Sequence, residues 1–118
     1  MTPQAIDPAA VATAERQTLS PMSERRMRRL LDVLCDGTRL KIVRALRDNQ
    51  LAASDLARVL GRSRSATSQH LRVLREADVV QPARNGNVVR YTLATDLNAE
   101  ILTDIGRAFD RLEPSTAA

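Results

Sequence analysis

One cysteine, Cys35, and one histidine, His70, are all the thiol and imidazole that the 118 residues contain. A lone cysteine excludes a disulfide framework and a thiolate metal cage within one chain, and it suits a reducing compartment. Missing too are an apolar run near the roughly 18 residues of a membrane span and the charged start and apolar stretch of a secretory signal. A cytoplasmic protein with no membrane partner is therefore expected. There is no phosphate-cradling loop and no nucleophile beside a base, and Cys35 and His70 stand at unrelated positions. The sequence thus predicts neither an enzyme nor a bound cofactor.

What the chain does have is positive charge in one place. Lys and Arg total 18 against 14 Asp and Glu, a net +4 with a sequence pI near 10.5. Between Arg58 and Arg90 lie seven arginines (58, 62, 64, 72, 75, 84, 90) and two acids, Glu76 and Asp78, a local net of +5. The rest of the chain is close to neutral, so an acidic partner is drawn to that window.

The length suits one domain. Residues 1–19, "MTPQAIDPAAVATAERQTL", hold few large apolar side chains and read as a flexible N-terminal tail. Residues 20–113 read as the domain, and 114–118 as a flexible C-terminal tail. Ser23 is a plausible cap for a first helix carrying Met27, Leu30, Leu31 and Leu34 on one face. Leu40, Ile42, Val43 and Leu46 continue in a second helix after "DG". A short third helix, "AASDLARVLG", points Leu56, Val59 and Leu60 inward and ends at Gly61 in a left-handed turn. Ser63 caps the next helix, which runs through Leu71 and Leu74 to about Ala77. A short helix, a tight turn and a longer helix have the spacing of a helix-turn-helix. Then "VVQPAR" and "NVVRYTL" flank Asn85-Gly86, a hairpin signal in which both turn positions take positive φ; Pro82 suits an edge strand. A last helix carries the stripe Leu97, Ile101, Ile105, Phe109 and Leu112.

The fourth helix opens with "SRSATSQ", short hydrogen-bonding side chains and cations with little to bury. A helix that enters a DNA major groove needs such groups at its N-terminal end, while its other face packs on the preceding helix. Thr67, Leu71 and Leu74 form the inner face. Arg64, Ser65, Ser68, Gln69 and Arg72 then point outward, with Gln69 suited to adenine and Arg64 to guanine. The hairpin adds Arg84 and Arg90 around an apex of Asn85, Gly86 and Asn87, a wing able to lie along the backbone or dip into the minor groove. A solvated helix start and a charge-protected hairpin edge are the plainer alternatives. Arg90, deeper in its strand, suits a structural role as well.

"VLCDGTRLKIVRAL", "DLARVLGRSRSATSQHLRVLREADVV" and "RNGNVVRYTL" resemble the ArsR/SmtB family of winged helix-turn-helix repressors over roughly residues 24–112. The resemblance implies a mainly α fold with a β-hairpin wing in the order α-α-α-α-β-β-α. It also implies a homodimer built from the first and last helices, and binding of a double-stranded DNA operator that an effector relieves. The apolar stripes agree: Met27, Leu30, Leu31 and Leu34 with Leu97, Ile101, Ile105, Phe109 and Leu112 exceed what so small a core covers, and a twofold interface would use them.

The departures concern metals. Where many members of that family carry a Cys-x-Cys pair at the start of the third helix, this chain has Ala52 and Ser54. Where others carry an Asp and a His just after the wing, it has Thr95 and Leu97. Neither usual metal site is retained. Asp96, Glu100 and Asp104 form a carboxylate row able to hold a hard cation through oxygens, or a solvated face pairing with Arg107 and Arg111. His70 suits packing or a phosphate contact, Arg62 and Ser63 reach toward the backbone, and Cys35 reads as an inert core thiol. The leading expectation is a dimeric, sequence-specific repressor without the usual metal sites. A non-sequence-specific nucleic-acid-binding or architectural protein and a metal sensor with an atypical carboxylate site are the alternatives.

Overall fold

The computed structural model describes residues 4–95 and 97–112. Asp96, the side chain of Leu97 and the expected tail at 114–118 lie outside the described residues. Nine elements follow in order: α1 (Pro8–Gln17), α2 (Pro21–Leu34), α3 (Gly37–Ala45), β1 (Leu51–Ala52), α4 (Ala53–Leu60), α5 (Arg64–Glu76), β2 (Val80–Asn85), β3 (Val88–Leu93) and α6 (Leu97–Asp110). This is the winged helix-turn-helix order, with α1 and β1 added to what periodicity predicts.

The helix α1 stands within the segment read as tail. Asp7 Oδ1 accepts from the Ala10 N–H at 3.0 Å and Pro8 occupies the first turn, both good start signals, yet no residue of α1 is buried. The segment thus has local helical structure without adding to the core. The cap of α2 is Ser20, whose hydroxyl accepts from the Ser23 N–H at 3.2 Å, and not Ser23 as the sequence suggests. Pro21 explains the difference, since its fixed φ suits the first helical position and places the start there.

The core gathers Leu30 and Leu34 of α2, Ile42 of α3, Leu56 of α4, Leu71 and Leu74 of α5 and Leu102 of α6. Burying one such leucine contributes about 1.5–3 kcal/mol. Asp36 joins α2 to α3: its Oδ1 accepts from the N–H groups of Thr38 at 2.8 Å and Arg39 at 3.2 Å. The Arg39 N–H chiefly, with that of Thr38, holds this carboxyl below its ordinary range despite some opposing desolvation. Arg39 Nε donates to the Val33 carbonyl at 2.7 Å, closing the end of α2. Two inward assignments change. Val59 is 63% exposed and Ala57 takes the buried position beside Leu56, because α4 is so short that only a narrow strip meets its neighbours. Cys35 is exposed at the C-terminal cap of α2, not a core thiol, because its backbone is still helical and it continues the face of the exposed Leu31 four residues earlier.

The sheet has the order β1-β3-β2, all antiparallel, with Pro82 on the outer strand β2. Asn85 pairs with Val88, so the hairpin loop is Gly86-Asn87 and not the expected Asn85-Gly86. Gly86 alone of these takes positive φ, at 67°. A left-handed glycine first in a two-residue loop fits the twist of the flanking strands as well as the Asn-Gly turn would.

Candidate nucleic-acid interface

The turn between α4 and α5 is built by its backbone. Gly61 adopts φ 62°, its N–H bonds the Arg58 carbonyl at 3.2 Å, and the Arg62 N–H bonds that of Ala57 at 3.0 Å. These two bonds close the end of α4 in a Schellman motif that favours glycine at the left-handed position. Ser63 then caps α5, its Oγ accepting from the Ala66 N–H at 3.1 Å. Helix end and helix start are thereby fixed within three residues, which sets the angle between α4 and α5.

The helix α5 divides as its sequence predicts. Thr67, Leu71 and Leu74 are all at or below 1% exposure. The buried Thr67 hydroxyl donates to the Ser63 carbonyl at 2.9 Å, so no polar group is stranded there. Arg64, Ser65, Ser68, Gln69 and Arg72 are exposed. Arg72 approaches Glu76 at 3.6 Å with both side chains largely in solvent. Such a pair contributes little and leaves Arg72 able to swing toward a phosphate. His70 is half-buried on the shoulder of the helix, near enough for its charge to help hold the Asp36 carboxyl down.

Arg84, Asn85 and Asn87 are exposed around the hairpin apex. Arg90 pairs with Ala83 on one side and Ala52 on the other, in the middle strand, and lines a polar groove with Asp48, Thr92 and Arg107. It belongs to the base of the wing. Arg62 and Ser63 are exposed at the turn.

The stripes meant for a partner are partly used within the chain. Leu30 and Leu34 are 4% and 6% exposed and belong to the core, whereas Met27 and Leu31 remain open. On α6, Ile101 and Phe109 are exposed and Ile105 is half-buried, whereas Leu112, expected on the same helix, is exposed in the turn that follows its end at Asp110. Glu100 and Asp104 are exposed on the same helix, and among the described residues no group of three or more His, Cys, Asp or Glu comes together. No helix among them is long and apolar enough to cross a membrane.

Two arrangements escaped sequence reasoning. Arg29 Nη2 of α2 donates to the Glu76 carbonyl at the end of α5, at 3.0 Å. Asp110 bridges Arg44 and Arg47 at 3.0 and 2.8 Å. Both link residues far apart in the chain, and local spacing carries no signal for either.

Residues 36–81, the span from the Asp36 cap through the helix-turn-helix, match the family described as "Bacterial regulatory protein, arsR family". The HTH-type transcriptional regulator Rv2034 of Mycobacterium tuberculosis is 41% identical over 83 residues, covering 70% of this chain and 78% of that protein. The chain belongs to the ArsR family of DNA-binding transcriptional regulators. Among solved structures, the transcriptional repressor BigR from Xylella fastidiosa has a TM-score of 0.71 at 27% identity, covering 80% of this chain and 96% of that one. The homodimeric winged helix-turn-helix domain Mb0332 from Mycobacterium bovis has a TM-score of 0.67 at 22% identity, covering 100% and 99%, a likeness of fold. In this ArsR-family chain the matched span includes the whole of α5, with its exposed polar face.

Proposed function

We propose that this ArsR-family protein is a homodimeric, sequence-specific repressor. Two copies of α5 would enter successive major grooves and the two hairpin tips would contact the flanking backbone or minor groove. Repression would follow from occlusion of a promoter, relieved when an effector favours a dimer whose α5 helices no longer match the half-site spacing. The observation that carries this reading is the mixed outer face of α5. Gln69 and three short hydroxyl or cationic neighbours, Arg64, Ser65 and Ser68, stand exposed opposite a fully buried Thr67, Leu71 and Leu74. A purely electrostatic binder would gain nothing from Gln69, whose amide suits a base edge.

Arg64, Gln69 and Ser68 are assigned to base edges; Arg62, Ser63, Ser65, His70, Arg72 and Arg84 to phosphates; Asn85 and Asn87 to the groove beneath the wing; and Arg90 to support of the hairpin. The exposed Met27, Leu31 and Ile101 support the dimer, since apolar side chains on two helices need a cover. Regulation is assigned to something other than a thiophilic metal held at the usual positions, which Ala52, Ser54, Thr95 and Leu97 occupy.

The test is selection of bound duplexes from a random pool, followed by competition with unrelated DNA and by repetition with zinc or a chelator added. A palindromic consensus that outcompetes unrelated DNA by about a thousandfold or more, unchanged by zinc, is the expected result. Equal competition by any duplex makes the protein an architectural binder instead.

A further inference from the structure

A cavity of about 250 Å³ opens between α3 and α6, walled by Leu40, Val43, Leu93, Leu102, Ile105 and Phe109. Arg44 and Arg47 line it as well, with side chains 40% and 30% exposed, so their guanidinium groups sit where the apolar wall meets water. Asp110 spans the pair, Oδ1 lying 3.0 Å from Arg44 Nη2 and Oδ2 2.8 Å from Arg47 Nη1. Hydrogen bonds from Arg47 first and Arg44 second hold its carboxyl below the ordinary range. Opposite them on α6, a Cβ at Gly106 would stand 3.2 Å from Arg47 Nη1. Glycine weakens a helix interior; here it gives the Arg47 guanidinium room to lie against α6 beside the cavity.

We propose that this cavity binds a small molecule with an apolar body and one carboxylate. The body lies among the leucines, and the carboxylate takes the place of Asp110 on Arg44 and Arg47. The volume falls just under the roughly 300–1,000 Å³ of pockets for drug-sized ligands, so the occupant is small. Apolar walls with a few convergent polar groups are the usual make-up of such a site. Charge selects the head group. Two cations face one carboxylate, which leaves the mouth positive, and a plain hydrocarbon would leave that charge unanswered. Asp110 already displays the pose, a carboxylate shared between two guanidinium groups in charge-assisted hydrogen bonds.

Because Asp110 ends α6, exchanging it for a ligand carboxylate releases the last turn of α6 from α3. As an effector site the cavity rests on the regulator reading above. Binding itself is measured without DNA, so the two readings fail separately.

The full-length protein is titrated with octanoate by calorimetry and by methyl NMR, with 1-octanol as the uncharged match. Saturable octanoate binding with shifts centred on Leu40, Val43, Leu102 and Ile105 is expected, with octanol about tenfold weaker or worse. Asp110→Asn removes the internal competitor and should bind octanoate several-fold more tightly, a gain that a misfolded variant cannot mimic. Arg47→Gln should bind about tenfold more weakly. No saturable binding, equal binding of octanol, or no gain in Asp110→Asn overturns the proposal. So do intermolecular contacts showing that side chains of a second copy fill the cavity.

Discussion

Arg29 and Glu76 join the start of the core to the end of α5: a guanidinium N–H of Arg29 donates to the Glu76 backbone carbonyl at 3.0 Å across 47 positions of sequence. The last carbonyls of a helix lack partners within it, and α2 supplies one of them here. A net contribution of about 0.5–1.5 kcal/mol is usual for such a bond. Arg29→Ala should therefore lower stability by about that amount, with amide exchange rising first at Ala77–Val79. Unchanged exchange there would show the contact to be idle.

Gln69→Ala should narrow the preference for the selected operator over unrelated DNA by about 1–3 kcal/mol, as expected for losing a bidentate base contact. Arg84→Ala should instead weaken binding to all duplexes and reduce the salt slope by about one unit. Titrations at several salt concentrations against both DNAs separate the two. Unaltered specificity in Gln69→Ala would reassign the outer face of α5.

The turn before α5 rests on two residues with separable roles. Gly61→Ala should cost about 1–2 kcal/mol, the penalty of a left-handed L-residue, since nothing lies within 4 Å of the added Cβ and only the backbone objects. Ser63→Ala should cost about 1 kcal/mol through the lost cap. Urea midpoints at constant slope measure both.

Leu31→Glu tests the dimer without disturbing the core, because Leu31 is 49% exposed in the single chain. The variant is expected to keep its helical circular dichroism and to sediment as a monomer at micromolar concentration, and the unsubstituted chain is expected to sediment as a dimer. A wild-type monomer would remove the two-half-site arrangement altogether.

Acid should weaken the fold through Asp36. Its carboxyl titrates below the ordinary 3.8 in the folded chain, so it binds a proton less readily folded than unfolded. Its contribution is complete above the ordinary value and is lost as pH falls through the lowered one. Asp36→Asn should therefore flatten the decline of stability below about pH 5, measured by thermal unfolding. An equally steep decline in the variant would assign the acid sensitivity elsewhere.

The helix-turn-helix was legible because each of its devices is local. Gly61 ends one helix, Ser63 starts the next, and Thr67, Leu71 and Leu74 repeat at helical spacing, so backbone chemistry and periodicity agree over sixteen residues or so. The wing was legible in outline, but its loop shifted by one residue because Asn85-Gly86 and Gly86-Asn87 are both acceptable two-residue turns, and pairing along β2 and β3 decides between them. Periodicity misled at Val59, since spacing marks a face and says nothing of how wide a strip neighbours cover. It likewise could not tell that Leu30 and Leu34 go to the core while Met27 and Leu31 stay open. The two-residue β1 is too short to leave a pattern. Arg29 with Glu76, and Asp110 with Arg44 and Arg47, depend on chain segments meeting in space, which no window of sequence contains.

The position of Pro82 midway along the outer strand β2 has a further result. An outermost strand with a full row of free donors and acceptors is a template on which another chain can polymerise. Pro82 lacks the N–H that a continuous ladder needs. The outer strand of the wing is therefore a poor seed for fibres, and two wings that meet edge to edge find no continuous ladder on which to zip together.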